Sequence, residues 1–168
     1  MAHEFPVTVR WDGSTGSGYR GYSRTHVGTT EGTPDLTVSA DRHFRGDPAF
    51  HNPEQLLVMA AASCQLLSFL ALAANRGIDV LHYSDDAVGT MTPSRGPMSI
   101  ERIELRPRIT VAAGPDGSTD TAAVLALVEQ AHRDCFIANS LRSEIEIVAS
   151  VTVTAPGGTA VSRPVRSR

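Results

Sequence analysis

The stretch HNPEQLLVMAAASCQLLSFLALAANRG, from His51 to Gly77, decides the fold, because residues 56–74 within it carry no charge. Asn52 is suited to cap a helix, and Gly77 is suited to end one. The stretch therefore predicts one helix over residues 53–76, about 36 Å long at 1.5 Å per residue. Its apolar residues lie on almost every side, which indicates that the helix is buried all round.

An apolar run of this length could also cross a membrane. Three features argue against a membrane span: the run is rich in alanine, it contains Ser63, Gln65 and Ser68, and no aromatic belt flanks it. The segments on both sides of the run also alternate like amphipathic strands. We therefore predict the buried spine of a soluble domain, without a membrane as partner.

Composition places the chain among ordinary globular proteins. Its 168 residues predict a single domain over residues 1–154, followed by a disordered tail over residues 155–168. The net charge of −3 gives no electrostatic reason to expect nucleic acid as partner. The start, MAHEFPVTV, lacks the features of a secretory signal, so we expect a cytoplasmic protein. Two cysteines are too few for a structural zinc site and the histidines are scattered, so we expect no metal and no cofactor.

Alternation of apolar and polar residues predicts strands on both sides of the long helix. The predicted strands cover residues 5–11, 19–27, 36–40, 80–92, 100–111 and 144–154. A second helix, capped by Thr119 or Asp120, runs to about Leu141 and carries a clear apolar stripe. The order is βββ-α-ββ-α-β. Tight turns between the strands favour antiparallel sheets with the helices packed on them, which is an α+β fold.

The long helix needs more cover than these strands can supply. Its side chains Ala60, Ala61, Ala62 and Ser63 are small enough to let a second helix approach closely. A twofold axis is the commonest way to use such a surface. We therefore predict an obligate homodimer.

The two cysteines occupy apolar positions, Cys64 in the middle of the first helix and Cys135 on the stripe of the second. The simplest interpretation is that each behaves as a small buried hydrophobic residue. Alternatively, the fold brings the two together, and they can form a disulfide if their Cα atoms come within about 4.4–6.8 Å. In a reducing cytoplasm such a pair is more often redox-catalytic than structural.

Two motifs, NPEQLLVMAAASC from Asn52 and AHRDCFIANSL from Ala131, resemble those of the OsmC/Ohr family of osmotically induced and organic-hydroperoxide-resistance proteins. The resemblance covers roughly residues 44–153. It implies thiol-dependent hydroperoxide reduction and an intertwined homodimer, in which two central helices are wrapped by antiparallel sheets. Phe136 follows the second cysteine where many members have a proline, so the chain resembles a less characterised OsmC-like branch.

The resemblance also implies roles for particular residues. Cys64 resembles the peroxidatic cysteine, whose thiolate attacks the peroxide, and Cys135 resembles the resolving cysteine, which then forms the disulfide. An external dithiol, in this family often a lipoylated protein, would reduce that disulfide. Glu54 resembles the acidic residue that orients an arginine beside the reactive sulfur. Arg45 resembles the OsmC-type arginine and Arg20 the Ohr-type one; both alternatives stay open, with Arg45 preferred, and either could be a solvated surface charge.

Helix geometry limits how Glu54 can act. Glu54 and Cys64 lie ten residues apart, or about 15 Å along the helix axis. If Glu54 serves a cysteine directly, that cysteine belongs to the partner chain, with two antiparallel helices crossing near Met59.

The leading interpretation of the sequence is a peroxidase for alkyl or fatty-acid hydroperoxides. The alternative is a non-catalytic OsmC-like stress or small-molecule-binding protein with buried structural thiols.

Overall fold

The structure is a computed structural model, and it shows the α+β fold predicted from the sequence. The described residues are 1–93, 96–114, 119–154 and, for the backbone, 161–164. The chain divides into two compact units, Met1–Leu57 and Val58–Arg168. The single domain over residues 1–154 stays a prediction.

The first unit contains a three-stranded antiparallel sheet in the order β1-β2-β3. The strands are β1 (Thr8–Arg10), β2 (His26–Thr29) and β3 (Leu36–Val38). Each lies at or within two residues of a predicted strand and is shorter than predicted. A short 3-10 helix, Arg42–Phe44, follows the sheet.

The largest difference in this unit concerns residues 19–27, where the strand begins only at His26. The preceding chain turns at Gly18, which has a left-handed φ of 78°. The Arg24 guanidinium donates to the carbonyls of Tyr19 and Tyr22 and stacks on both rings, 4.9 and 3.8 Å from their centroids. Because these carbonyls bind a side chain, they do not pair with a neighbouring strand.

The long helix α1 (Pro53–Asn75) begins where the sequence predicted and ends within one residue of its predicted end. At its start, the Asn52 side chain accepts a hydrogen bond from the Gln55 N–H at 2.8 Å, and the Gln55 side chain accepts one from the Asn52 N–H at 3.1 Å. At its end, Gly77 has a φ of 67° and the Ile78 N–H donates to the Ala73 carbonyl at 2.9 Å. Reciprocal capping and a Schellman motif therefore set the two ends.

In the second unit, each of the three long predicted strands is divided in two, and the halves lie in different sheets. The strands are β4 (Val80–Asp85), β5 (Val88–Met91), β6 (Ile100–Leu105), β7 (Pro107–Ala112), β8 (Glu144–Ile147), β9 (Ser150–Thr154) and β10 (Val161–Pro164). One sheet has the order β10-β9-β7-β4 and the other β5-β6-β8. The breaks are held by hydrogen bonds from the Arg106 N–H to the Asp85 carboxylate at 2.6 Å and from the Val148 N–H to the Leu105 carbonyl at 2.8 Å.

Two strand pairs in these sheets, β6 with β8 and β7 with β9, are parallel. The sequence, with its tight turns between strands, had predicted antiparallel pairing throughout. The long connection that contains the second helix returns the chain to the same end of the sheet, which produces parallel pairs. The predicted disordered tail also differs, since the backbone of Val161–Pro164 pairs with the edge of β9. The rest of that tail, 155–160 and 165–168, lies outside the described residues.

The predicted second helix is two helices, α2 (Thr121–Asp134) and α3 (Phe136–Ser140). Asp120 caps α2, as one of the two predicted alternatives, and accepts a hydrogen bond from the Ala123 N–H at 2.9 Å. One hydrophobic cluster joins α1, α2 and both sheets. It consists of Ala61, Phe69, Ala73, Ile103, Leu105, Ile109, Val111, Val124, Leu127, Val128, Ala131, Ile147, Ala149 and Val151.

Burial on α1 is one-sided in the single chain, where the sequence predicted burial all round. The buried side chains recur every fourth residue: Ala61, Gln65, Phe69 and Ala73. On the other side Met59 is 51% and Leu67 63% exposed. Among the described residues, α1 is the one helix long and apolar enough to cross a membrane, and 22% of its apolar window is buried. One side of α1 therefore belongs to the core, and the other leaves apolar surface uncovered.

Candidate thiol site

The structure brings the two cysteines together within the second unit. Cys64 lies mid-helix in α1 and is partly buried, whereas Cys135 is 1% exposed. Both thiols are free. The Cys135 thiol donates a hydrogen bond to the Cys64 sulfur, and this bond lowers the pKa of Cys64 and raises that of Cys135. Two thiols far apart in sequence are thus close enough for each to shift the pKa of the other.

Cys135 lies at the break between α2 and α3, which corrects the prediction of one continuous helix. Its backbone is extended, with φ −71° and ψ 114°, and its sulfur accepts a hydrogen bond from the Ala138 N–H at 3.4 Å. The Asn139 side chain donates to the carbonyls of Cys135 and Arg133, both at 2.9 Å, and so holds the break. The break also turns the first N–H groups of α3 away from α2, so that they can bind another acceptor.

A buried glutamine holds α1 against α2 beside the two cysteines. Gln65 directly follows Cys64, is 1% exposed, and donates from Nε2 to the Val128 carbonyl at 3.0 Å. Because Val128 lies in α2 two turns before Cys135, this bond holds the two helices in register. Gln65 therefore positions the two sulfurs, whereas the sequence showed it only as a polar residue in an apolar run.

Hydrogen bonds favour the thiolate form of Cys64. Burial is the largest single effect, and by itself it would raise the pKa of this thiol. The backbone N–H groups of Ile137 and Phe136, the Cys135 thiol and the Ser68 hydroxyl all donate to the sulfur and lower the pKa. The hydrogen bonds outweigh burial, so the pKa of Cys64 lies below its ordinary value.

Cys135 has the opposite electrostatic environment. Burial, followed by the hydrogen bond that it donates to Cys64, raises the pKa of the Cys135 thiol to about 11. At neutral pH Cys64 is therefore the more easily ionised sulfur, and Cys135 keeps its proton. Since the thiolate is the nucleophilic form of a cysteine, Cys64 is the better nucleophile of the two.

Cys64 faces an open groove of about 620 Å³. The groove is lined by Ala60, Ser63, Cys64, Leu67, Ser68, Ala71, Leu72, Asp134, Phe136 and Ile137. Most of these side chains are apolar, and Phe136 is 82% exposed. A groove of this size and character suits a small organic molecule next to Cys64.

The other three predicted site residues belong to the first unit. Glu54 lies in the first turn of α1, and its Oε2 atom is shielded from solvent and accepts no hydrogen bond from the described residues. Arg45 is exposed and follows the 3-10 helix with a left-handed φ of 67°. Arg20 is exposed in a turn. The roles of these three residues at Cys64 stay predictions.

Sequence reasoning missed Ser68, Asp134 and the N–H groups of Phe136 and Ile137. Ser68 could have been found, because residues four apart on a helix are neighbours and Ser68 is four residues after Cys64. The N–H groups had no such signal, since the apolar stripe of the second helix continues through Cys135 without interruption.

We expect Ser68→Ala to raise the pKa of Cys64, because the variant removes a hydrogen bond to the thiolate. The rate of Cys64 alkylation by iodoacetamide, followed against pH, should reach half its maximum at a higher pH. At neutral pH the rate should fall roughly two- to tenfold. Ser63→Ala, in the same groove, serves as the matched control and should keep the native profile. An unchanged profile in Ser68→Ala would show that the hydroxyl does not act on the sulfur.

The chain is similar to several known proteins. The family model described as OsmC-like protein matches residues 46–150, more than half of the chain. A solved OsmC-like protein of unknown function from Vibrio cholerae is 30% identical, with a TM-score of 0.76, and the match covers 91% of this chain and 100% of that one. An organic hydroperoxide resistance protein from Elizabethkingia anophelis shares the fold at 18% identity, with a TM-score of 0.63 and coverage of 92% and 98%. The uncharacterized protein YmaD of Bacillus subtilis is 24% identical over 157 residues, which are 92% of this chain and 97% of YmaD.

Proposed function

The chain belongs to the OsmC-like protein family, as its motifs predicted, and from this premise we propose that it is a thiol-dependent peroxidase. It reduces organic hydroperoxides in defence against oxidative stress. The observation that carries this proposal is the pairing of Cys64, whose thiol has a lowered pKa, with Cys135, whose thiol has a raised pKa, beside a mostly apolar groove. The fold is shared with an organic hydroperoxide resistance protein, which supports the same chemistry.

The reaction begins when the Cys64 thiolate attacks the terminal oxygen of the hydroperoxide. An S–O bond forms, the O–O bond breaks, and the alkoxide leaves and takes a proton from water, which gives Cys64 sulfenic acid and an alcohol. The Cys135 thiol then loses its proton and attacks the Cys64 sulfur. The S–S bond forms and the hydroxyl group leaves as water. An external dithiol, which we take to be a lipoylated protein, returns both cysteines to thiols by exchange.

The substrates are alkyl or fatty-acid hydroperoxides. Leu67, Phe136 and Ile137 line the groove, and burying a carbon chain against them contributes about 25 cal/mol for each Å² of apolar surface. Hydrogen peroxide has no carbon chain and gains nothing from this surface. The groove therefore favours organic hydroperoxides over hydrogen peroxide.

The active assembly is a homodimer in the cytoplasm. The uncovered side of α1 at Met59 offers the surface for a second copy. The carboxylate oxygen of Glu54 that lacks a partner suits a guanidinium, from Arg45 or Arg20. In this arrangement Glu54 and its arginine serve the Cys64 of the partner chain, and the reducing cytoplasm supplies the dithiol.

A thiol count after oxidation tests the proposed activity. We expect cumene hydroperoxide to remove two free thiols per chain, counted under denaturing conditions, and reduced lipoate to restore both. Cumyl alcohol, which has the same carbon skeleton and no O–O bond, is the control and should remove none. Two untouched thiols after hydroperoxide would favour the non-catalytic binding protein instead.

A further inference from the structure

We propose that Asp134 makes the groove selective for uncharged hydroperoxides over those that carry a carboxylate. This inference rests on the proposed peroxidase function and narrows its substrate class. It assigns Asp134 as a specificity-determining residue, because Asp134 and Cys64 line the same groove.

Asp134 is the charged residue among the described residues that line the groove. It is the last residue of α2, directly before Cys135, and its side chain is exposed. The remaining lining consists of apolar side chains, two serines and Cys64 itself. On this chain, a substrate that reaches Cys64 therefore passes one negatively charged lining residue, Asp134.

The position of Asp134 in α2 adds to this negative field. The carboxyl end of a helix carries a partial negative charge, so an acidic residue there is unfavourable for the helix. The other charged residues of this last turn are basic or can become so, His132 and Arg133. The partial charge of the helix end and the charge of Asp134 therefore have the same sign at this part of the groove.

The expected discrimination is modest, because the Asp134 side chain is exposed to water, which screens its charge. Two like charges on the same groove, at an effective dielectric constant between those of water and the protein surface, repel enough to change a rate roughly two- to fivefold. A free fatty-acid hydroperoxide carries this penalty and its methyl ester does not. We therefore expect the groove to prefer neutral alkyl and esterified hydroperoxides.

The first test compares one hydroperoxide in two charge states. The ratio of kcat/KM for linoleic acid hydroperoxide to that for its methyl ester should rise roughly two- to fivefold in Asp134→Asn. Added salt should raise the same ratio in the native protein and have less effect in the variant. Glu129→Gln removes an exposed acid of α2 outside the groove and should keep the native ratio. A native ratio in Asp134→Asn would overturn the proposal.

The second test does not depend on peroxide turnover. Alkylation of Cys64 by iodoacetate, an anion, is compared with alkylation by neutral iodoacetamide, and the modified peptide is quantified by mass spectrometry. Asp134→Asn should raise the iodoacetate-to-iodoacetamide rate ratio by a similar factor, and an unchanged ratio would refute selectivity by this carboxylate. If the protein consumed no hydroperoxide while this ratio still rose, the peroxidase function would fail and the charge selectivity of the groove would stand.

Discussion

Replacing Cys64 with serine is expected to lower the rate of hydroperoxide reduction by about a thousandfold or more, to the background level. The hydroxyl of serine stays protonated at neutral pH. The four hydrogen bonds that stabilise a thiolate at this position therefore no longer act on an anionic nucleophile. Consumption of cumene hydroperoxide, coupled to a lipoylated protein or reduced lipoate, measures the loss. The fold should persist, because serine nearly matches cysteine in size.

Cys135→Ser is the matched variant, and it should separate the two chemical steps. Cys64 should still consume about one hydroperoxide per chain and become a sulfenic acid, which a dimedone label and mass spectrometry detect. The disulfide cannot form, so turnover with the dithiol should slow strongly. If Cys64→Ser kept native activity, or if Cys135→Ser consumed no hydroperoxide at all, the assignment of nucleophile and resolving thiol would be wrong.

The second large effect is expected at Met59, which we replace with lysine. Met59 lies on the uncovered side of α1, is 51% exposed, and does not line the groove. If a second copy covers this side of α1 near a twofold axis, the substitution brings two ammonium groups, one from each copy, into an apolar interface. Desolvating each would cost several kcal/mol, which is enough to dissociate or unfold the dimer.

Size-exclusion chromatography with light scattering, followed by thermal unfolding, measures this effect. The native protein should elute as a dimer and Met59→Lys as a monomer or an unfolded chain. Ala74→Lys introduces the same side chain at another exposed position of α1 and should leave the dimer intact. A native protein that is a stable, folded monomer would remove the homodimer from the proposal, and with it the shared site of Glu54 and its arginine.

Local signals predicted the helices and strands whose ends depend on nearby residues. The start of α1 follows from Asn52 and Gln55, which cap each other, and its end from Gly77, whose left-handed backbone stops the helix. The cap of α2 at Asp120 is of the same kind. Interactions within a few residues determine these features, so they can be recognised in the sequence alone.

The division of the long strands could not be predicted from local signals. The apolar alternation of Ile103, Leu105, Ile109 and Val111 continues across the break between β6 and β7, so the sequence predicts one strand. The break is instead held by the Asp85 side chain, which accepts a hydrogen bond from the Arg106 N–H twenty-one residues away. Only contacts between distant segments decide which half of a strand joins which sheet.

The sequence by itself determined the family, the α+β class, the limits of α1 and the two cysteines as candidates, because motifs and periodicity are local properties. The tertiary structure alone decided that α2 stops before Cys135, that the Phe136 and Ile137 N–H groups donate to Cys64, and that Gln65 joins α1 to Val128. The physical reason is that a pKa depends on the donors around a sulfur. Those donors come from chain segments about seventy residues apart, which only packing brings into contact.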